Sequence, residues 1–81
     1  MNQGITGRIL EYVAVFEQEH DGGFSVVIPA LPGCISEGDT FEEAQENIQE
    51  AAELYLSVMK ERRNLIPKQS RFVVAAVGVK V

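Results

Sequence analysis

The sequence is poor in the residues that most often carry chemistry in small proteins. Its 81 residues include one cysteine, one histidine and no tryptophan. One cysteine cannot form an internal disulfide, and a metal site needs about three or four ligands, so neither is expected within one chain. Basic residues are also few, with seven Lys and Arg against twelve Asp and Glu and a net charge of −5. The chain therefore lacks the basic surface typical of nucleic-acid-binding proteins, and its acidity suits a basic partner.

Long apolar segments are absent as well. No apolar run approaches the roughly 20 residues of a transmembrane helix, and the N-terminus lacks the layout of a signal peptide. With 46% hydrophobic residues, however, the chain is too apolar for a disordered protein. We therefore expect a single globular domain over residues 1–81, without a membrane segment, in the cytoplasm. A chain of this length builds only a thin core, so oligomerisation would help to stabilise it.

Turn residues divide the first half of the chain into three predicted strands. The strands are expected at Arg8–Phe16, Phe24–Ile28 and Gly33–Glu37, where β-branched and aromatic residues concentrate. Asp21-Gly22-Gly23 predicts a hairpin between the first two strands, because glycines accept the positive φ angles of tight turns. Leu31-Pro32-Gly33 predicts a second sharp turn, which leads into the third strand.

A capping signal and an apolar stripe predict one long helix. Thr40 can accept a hydrogen bond from the amide of Glu43, whose carboxylate can return to the Thr40 amide, as in a capping box. The helix is predicted over residues 41–63, with Asn64 as a left-handed terminator and Pro67 preventing continuation. Its apolar stripe comprises Phe41, Ala44, Ile48, Ala51, Tyr55 and Val58, with Ala52 and Met59 widening it.

The segment Ser70–Val81 is apolar on both faces and predicts a fourth strand. A right-handed return through the helix would place this strand beside the first one, giving the order third, second, first, fourth. The predicted fold class is therefore α+β, with a four-stranded mixed sheet and one covering helix. Since one helix covers only one face, we expect a homo-oligomer, a dimer or higher, in which a second copy covers apolar surface. The residues expected at this interface are Val73, Val74, Val77 and Val79.

Few side chains could carry catalysis or hold a metal. Cys34 has no base available other than His20, which lies in a turn, so a structural role for the thiol is the better interpretation. The glutamates of the helix are spaced for a solvated face. A metal-dependent nuclease would need carboxylates converging from the strands. The only candidates for such a set are Glu11, Glu17 and Glu37.

The sequence resembles the signature of the HicB-like antitoxin family over the stretch GGFSVVIPALPGCISEGDTFEEAQENIQEAAELYL. The matching features are an aspartate-glycine-glycine-aromatic turn at residues 21–24, a Pro-x-Leu-Pro-Gly-Cys motif at 29–34, and Gly-Asp-Thr at 38–40 before a helix rich in Glu-Ala pairs. The structural motif residues are Gly22, Gly23, Pro32, Gly33, Cys34, Thr40 and Glu43. The resemblance covers residues 10–67, and it departs from the family at Ala30, where members often carry an acidic residue.

The resemblance implies a partial ribonuclease H-like fold with the order β-β-β-α-β. It also implies a non-catalytic protein, without a cofactor, that binds and masks a HicA-type toxin, an mRNA-cleaving ribonuclease. Many members carry a C-terminal DNA-binding segment, but the sequence ends at Val81, so no direct nucleic-acid binding is expected. Two alternatives remain: a weak metal-dependent ribonuclease of similar fold, and an orphan homo-oligomeric binding module.

Overall fold

Three short strands and one helix make up the regular structure of residues 9–81, the part of the chain that this structure, a computed structural model, describes. The strands are β1 (Val15–Gln18), β2 (Phe24–Val27) and β3 (Ile35–Gly38), and the helix is α1 (Phe41–Glu61). The strands pair antiparallel in the order β1-β2-β3. The predicted α+β class and the order of the first three strands are therefore confirmed. No helix within residues 9–81 is both long and apolar enough to cross a membrane.

The hairpin that joins β1 to β2 has the predicted turn chemistry. Gly22 adopts a φ of +94°, in the left-handed region that glycine tolerates best. The amide of Gly23 donates to Asp21 Oδ1 at 2.9 Å, a local bond that is typical of turns. The turn is closed by the amide of Glu19, which donates to the carbonyl of Gly23 at 2.7 Å.

β1 is shorter than the strand predicted over residues 8–16, of which residue 8 lies outside the described part of the chain. It begins at Val15, whose pairing partner Val27 is the last residue of β2. Residues 9–14 therefore extend past the end of their neighbour, and no strand within residues 9–81 pairs with them.

Side chains nevertheless alternate between two faces through this segment. Tyr12, Ala14 and Phe16 are half-buried and pack against the core, whereas Val13 and Val15 are exposed. The apolar residues on both faces favour a strand covered on two sides, but in the described chain only the face of Tyr12, Ala14 and Phe16 is covered.

The core lies between the sheet and α1. The helix packs chiefly against β3 and β2, and only weakly against β1. Burying an apolar side chain stabilises a fold by roughly 1.5–3 kcal/mol, so these few contacts account for much of the stability of so small a domain. The buried side chains are Val26, Ile28, Leu31, Cys34, Ala44, Ile48 and Ala52.

Three aromatic rings join the start of the helix to the sheet. The ring of Phe41 lies 4.6 Å from that of Phe16 at an interplanar angle of 44°, and 6.0 Å from that of Phe24 at 80°. Tilted and edge-on pairs of this kind are worth about 0.5–1.5 kcal/mol beyond the area they bury. They fix the first turn of α1 over β1 and β2.

Thr40 caps α1 as predicted, but the reciprocal bond differs. Thr40 Oγ1 accepts from the amide of Glu43 at 3.1 Å. The carboxylate of Glu43 accepts from the amide of Asp39 at 2.7 Å, and not from that of Thr40. Because β3 ends at Gly38, the Asp39 amide lies beyond the strand pairing and takes the carboxylate.

Replacing Thr40 by alanine is expected to lower the free energy of unfolding by about 1 kcal/mol, because the Glu43 amide loses its acceptor. For a domain of this size the melting midpoint should fall by roughly 4–8 °C. Thr40→Ser keeps a hydroxyl acceptor and should melt close to the unmodified protein. Calorimetry of the two variants is the measurement, and an unchanged midpoint for Thr40→Ala would show that this hydroxyl does not stabilise the helix.

The helix ends at Glu61, two residues before the predicted end at Arg63. Arg63, and not the predicted Asn64, is the left-handed residue, with a φ of +57°. The amides of Arg63 and Asn64 donate to the carbonyls of Lys60 and Met59 at 3.0 and 2.9 Å, which is the Schellman pattern. The predicted left-handed ending is thus right, but the left-handed residue lies one position earlier than predicted. The hydrogen bonds to the last carbonyls select the residue that reverses the chain.

Gly38, the last residue of β3, marks the closest approach of the sheet to the helix. A Cβ atom at this position would lie 2.4 Å from the nitrogen of Ala44 and 2.8 Å from the carbonyl carbon of Glu43. The sequence alone indicates only a turn glycine here. In the fold, the missing side chain allows the helix to start directly above the sheet.

The fourth strand predicted over Ser70–Val81 does not form within the single chain. Residues 64–81 carry no regular secondary structure, and residues 70–81 are exposed throughout. The radius of gyration of 15.6 Å exceeds the roughly 12 Å of a compact chain of this length. The C-terminal segment therefore leaves the body of the domain instead of completing its sheet.

Candidate interaction surfaces

The loop after β2 buries its apolar residues and exposes Pro32 and Gly33. Leu31 is completely buried, and Cys34 is 3% exposed. Gly33 adopts a φ of +86°, so the predicted need for glycine in this turn is confirmed. The amide of Leu31 donates to the carbonyl of Ile28 at 3.0 Å, and the amide of Cys34 to that of Leu31 at 2.9 Å. The loop is thus a rigid part of the core.

Cys34 has the surroundings of a structural residue. Burial raises the pKa of its thiol, so the reactive thiolate is disfavoured at neutral pH. His20, the only histidine, lies exposed in the β1–β2 turn. The predicted turn position of His20 is confirmed, and the burial of Cys34 agrees with the structural role expected for its thiol.

Two side chains of the helix hold the loop and β3 in place, and sequence reasoning missed both roles. Tyr55 Oη donates to the carbonyl of Pro32 at 2.9 Å, and Asn47 Nδ2 donates to the carbonyl of Glu37 at 2.7 Å. The helical period places Tyr55 on the inward stripe but cannot indicate a partner 23 residues away. No sequence signal identifies the carbonyl that accepts from Asn47.

The face of the sheet opposite the helix is uncovered and carries two different rows of side chains. Strand pairing places Val15, Val27 and Ile35 in one row across the three strands. Val15 and Ile35 are 46% and 64% exposed. This apolar row lies on the face that the helix does not cover, in agreement with the prediction that one face lacks a cover.

The second row of the open face is acidic. Glu17 and Glu37 lie on either side of Ser25 on the same face. Their backbones are two strand spacings apart, about 10 Å, and Glu11 lies six residues before Glu17, about 20 Å further along an extended chain. The described residues contain no group of three or more His, Cys, Asp or Glu close enough to hold a metal ion. The three candidate carboxylates therefore do not form one site.

The outer face of α1 is also acidic. All members of the predicted solvated set are exposed, which confirms that prediction. These residues are Glu42, Glu43, Glu46, Glu50 and Glu53. The acidic row of the sheet and this helical face give a basic partner two surfaces of complementary charge.

An open groove runs between the helix and the β1 side of the sheet. Its volume is about 1070 Å³, and its lining combines an apolar wall, which includes Ala14, Phe16, Ile48, Ala52 and Leu56, with polar side chains that include Glu11, Gln45, Glu53 and Lys60. A smaller depression of about 460 Å³ lies between the loop after β2 and the last turns of α1. The larger groove occupies the place beside β1 where the sequence predicts a fourth strand.

The valines predicted at the dimer interface lie neither on the open sheet face nor in the groove. They belong to the C-terminal segment, and all four side chains project into solvent. Neither of the two predicted faces of this segment packs under the helix of its own chain. The valines in question are Val73, Val74, Val77 and Val79, with exposed fractions of 92%, 88%, 79% and 81%.

Comparison with known proteins identifies relatives over most of the chain. A family model described as the HicB-like antitoxin of bacterial toxin-antitoxin systems matches residues 12–77. The chain is 44% identical to a UPF0150 protein of Synechocystis over 66 residues, which are 82% of this chain and 84% of that protein. It is 38% identical to a UPF0150 protein of Helicobacter pylori over 66 residues, covering 82% and 90% of the two chains. It is also 36% identical to one of Thermoplasma acidophilum over 61 residues, covering 75% and 88%. No solved structure matches the chain significantly.

Proposed function

Because the chain belongs to the HicB-like antitoxin family, we propose that it acts as an antitoxin that masks a HicA-type, mRNA-cleaving toxin by protein–protein contact. A protein with this function needs no chemistry of its own. It needs a surface that covers the part of the toxin that binds RNA.

The observation that carries the proposal is the uncovered face of the sheet. Its apolar row of Val15, Val27 and Ile35 provides the desolvated centre that a stable interface requires. The neighbouring Glu17 and Glu37 supply negative charge beside that centre. Apolar anchors flanked by charges of one sign are typical of a surface that binds a partner of the opposite sign.

The acidic charge of the chain also supports the proposal that it binds an RNA-cleaving toxin. A toxin that cleaves mRNA must attract phosphate groups, so its active surface is expected to be basic. This chain carries a net charge of −5, and its exposed carboxylates lie on the sheet and on the outer face of α1. An acidic protein can therefore compete with RNA for such a surface, and opposite charges accelerate the association.

The test is an RNA-cleavage assay with the HicA-type protein encoded beside this gene. Adding this protein in excess should stop cleavage. Ile35→Arg places a positive charge in the centre of the apolar row and should weaken the inhibition by roughly 30-fold or more. Leu54→Arg makes a similar change at a leucine that is 67% exposed on the helix, and it should inhibit like the unmodified protein.

Inhibition unaffected by Ile35→Arg would overturn the assignment of the sheet face. If no HicA-type gene lies beside this one, the orphan homo-oligomeric module becomes the better interpretation. Circular dichroism should show that both variants retain the helix, since both side chains lie outside the core.

The alternative of a weak ribonuclease yields a separate prediction. We expect purified protein to leave RNA intact with or without Mg²⁺ or Mn²⁺, because Glu11, Glu17 and Glu37 are spread too widely to share an ion. Gel electrophoresis of labelled RNA after overnight incubation is the measurement. Metal-dependent cleavage that disappears in Glu11→Gln or Glu37→Gln would favour the nuclease.

The proposal extends to the assembly and its location. We propose that the protein acts in the cytoplasm, where mRNA is available, and that it self-associates to cover its exposed C-terminal segment. A partial ribonuclease H-like sheet of four strands would then be completed in the assembly and not in the single chain. Exposed apolar segments of this length are uncommon in soluble monomers, which supports self-association.

A further inference from the structure

The helix does not sit over the middle of the three-stranded sheet. α1 packs on β3 and β2 and leaves the flank of β1 open, which creates the groove of about 1070 Å³. In a sheet with one more strand beside β1, the same helix would be central. The groove therefore has the position and the wall of a site for one strand.

β1 offers the hydrogen-bonding edge that such a strand requires. In the order β1-β2-β3, one side of β1 pairs with β2 and the other side has no partner strand within residues 9–81. The groove is lined by Phe16 of β1 and by residues 9–14 that lead into it. Within the described residues, the chain covers one end of this edge. Tyr12 Oη donates to the carbonyl of Pro67 at 2.6 Å, and the amide of Val13 donates to Gln69 Oε1 at 2.7 Å.

Beyond Gln69 the chain leaves the groove. Residues 70–81, here called the arm, are exposed and unpaired within the described chain. An extended arm of this length reaches about 40 Å, longer than the extended segment 9–18 that flanks the groove. The arm therefore has the length and the apolar composition of the missing strand, but it lies outside its own domain.

The two faces of the arm differ in their polarity. From residue 73 onward the odd-numbered positions are all apolar, after Arg71 at the start of the arm: Val73, Ala75, Val77, Val79 and Val81. The even-numbered positions carry Phe72, Val74 and Ala76, but also Ser70, Gly78 and Lys80. Beyond Arg71 the odd face is thus the more apolar one and suits the apolar wall of the groove, and the even face is suited to the outer side of the sheet.

We propose that the arm of one copy adds to the free edge of β1 in a second copy, with its odd face in the groove beneath α1. This inference rests on the self-association proposed above and specifies its geometry. The exchange is reciprocal, so two copies bury both arms and fill both grooves in a closed two-fold dimer. Arg71 and Lys80 make the arm basic, whereas the whole chain carries a net charge of −5, so charge also favours this occupant.

The experiment compares the unmodified protein with Val77→Glu and Val74→Glu. Both variants make the same change on the arm, but Val77 lies on the odd face and Val74 on the even face. Sedimentation at micromolar concentration should show a dimer for the unmodified protein. Val77→Glu should weaken the dimer by on the order of 100-fold or more, because a carboxylate would lie against the apolar wall of a groove that already holds Glu11 and Glu53. Val74→Glu should remain largely dimeric.

Circular dichroism of the same samples distinguishes exchange of the arm between copies from packing of the arm in the groove of its own chain. In an exchanged dimer, Val77→Glu yields a folded monomer with its helix signal intact, since the arm contributes nothing to the core of its own chain. Were the arm packed in its own groove, the same change would unfold the domain. Loss of the helix signal in Val77→Glu would therefore overturn the exchange.

Two other outcomes would also overturn the exchange, and they differ in what they imply for self-association. A monomeric unmodified protein would remove both self-association and exchange. A dimer that survives Val77→Glu but is lost in Ile35→Arg would retain self-association and place it on the open sheet face.

Discussion

Replacing Gly38 by alanine is expected to lower the free energy of unfolding by about 3 kcal/mol or more. The new Cβ would lie 2.4 Å from the nitrogen of Ala44 and 2.8 Å from its Cα atom. Both are backbone atoms, so the contact cannot be relieved by a side-chain rotation. The first turn of the helix would have to move away from β3. Overpacking of this kind usually costs about 1–3 kcal/mol, and a clash with helix backbone belongs at the upper end or beyond.

Gly78→Ala is the matched control for this change. A Cβ at Gly78 meets nothing within 4 Å, so the same substitution should leave the unfolding free energy nearly unchanged. Urea unfolding at equal protein concentrations measures both variants, since an oligomer's stability depends on concentration. Equal stability of the two would contradict the close approach of α1 to β3.

Replacing Leu31 by alanine is expected to lower the free energy of unfolding by about 2–5 kcal/mol. Leu31 is completely buried among apolar side chains, so truncation removes its transfer free energy and leaves a cavity. A domain of this length has roughly 4–12 kcal/mol of stability, so the upper end of that range would leave little folded protein. The melting midpoint should fall by roughly 4–8 °C for each kcal/mol.

Leu54→Ala is the control for the cavity. Leu54 is 67% exposed on the helix, and alanine is the better helix former, so its replacement should change the unfolding free energy by less than about 0.5 kcal/mol. Thermal melts of the two variants provide the comparison. Similar losses would mean that the loop after β2 is not part of the core.

The two proposed interactions use different surfaces of the domain. Toxin masking is assigned to the open face around Ile35, and arm exchange to the groove beneath α1 on the other face. Val77→Glu should therefore leave a monomer that still inhibits the toxin, while Ile35→Arg should leave a dimer that does not. The two proposals can thus fail independently.

Elements whose causes are local follow from the residue pattern. The hairpin glycine Gly22 has the positive φ that its turn requires, and Thr40 caps the helix through a residue three positions away. The alternation of Tyr12, Val13 and Ala14 separates the inward from the outward face even where no strand is paired. Each of these features depends on neighbours in the chain, so the residue pattern is sufficient to predict it.

Recognition of the family also came from the sequence, because the motif residues occur at characteristic spacings. The second and third strands, the helix and its acidic face lie within two residues of their predicted bounds, whereas the first strand begins seven residues later than predicted and the fourth does not form in the described part of the chain. The buried cysteine was interpreted correctly from the lack of any base or second ligand near Cys34.

Tertiary structure alone decided the features that depend on distant partners. The complete burial of Leu31, the bond from Tyr55 to Pro32 and the contact of Gly38 with α1 all join separate elements. At each end of the helix one feature is displaced by one residue from its predicted position: the amide that donates to Glu43 and the left-handed residue. Both displacements have the same origin, since the carboxylate of Glu43 and the last carbonyls accept from whichever amide the fold brings near.

The C-terminal arm shows most clearly that a residue pattern does not identify a distant partner. A β-branched run that is apolar on both faces predicts a strand, and residues 70–81 have that pattern. A strand, however, is stable only when a neighbouring backbone completes its hydrogen bonds and another surface covers its side chains. The pattern cannot state which chain supplies that neighbour. In the single chain the arm stays outside the domain, because its connection after Gln69 leads away from the groove that would bury it.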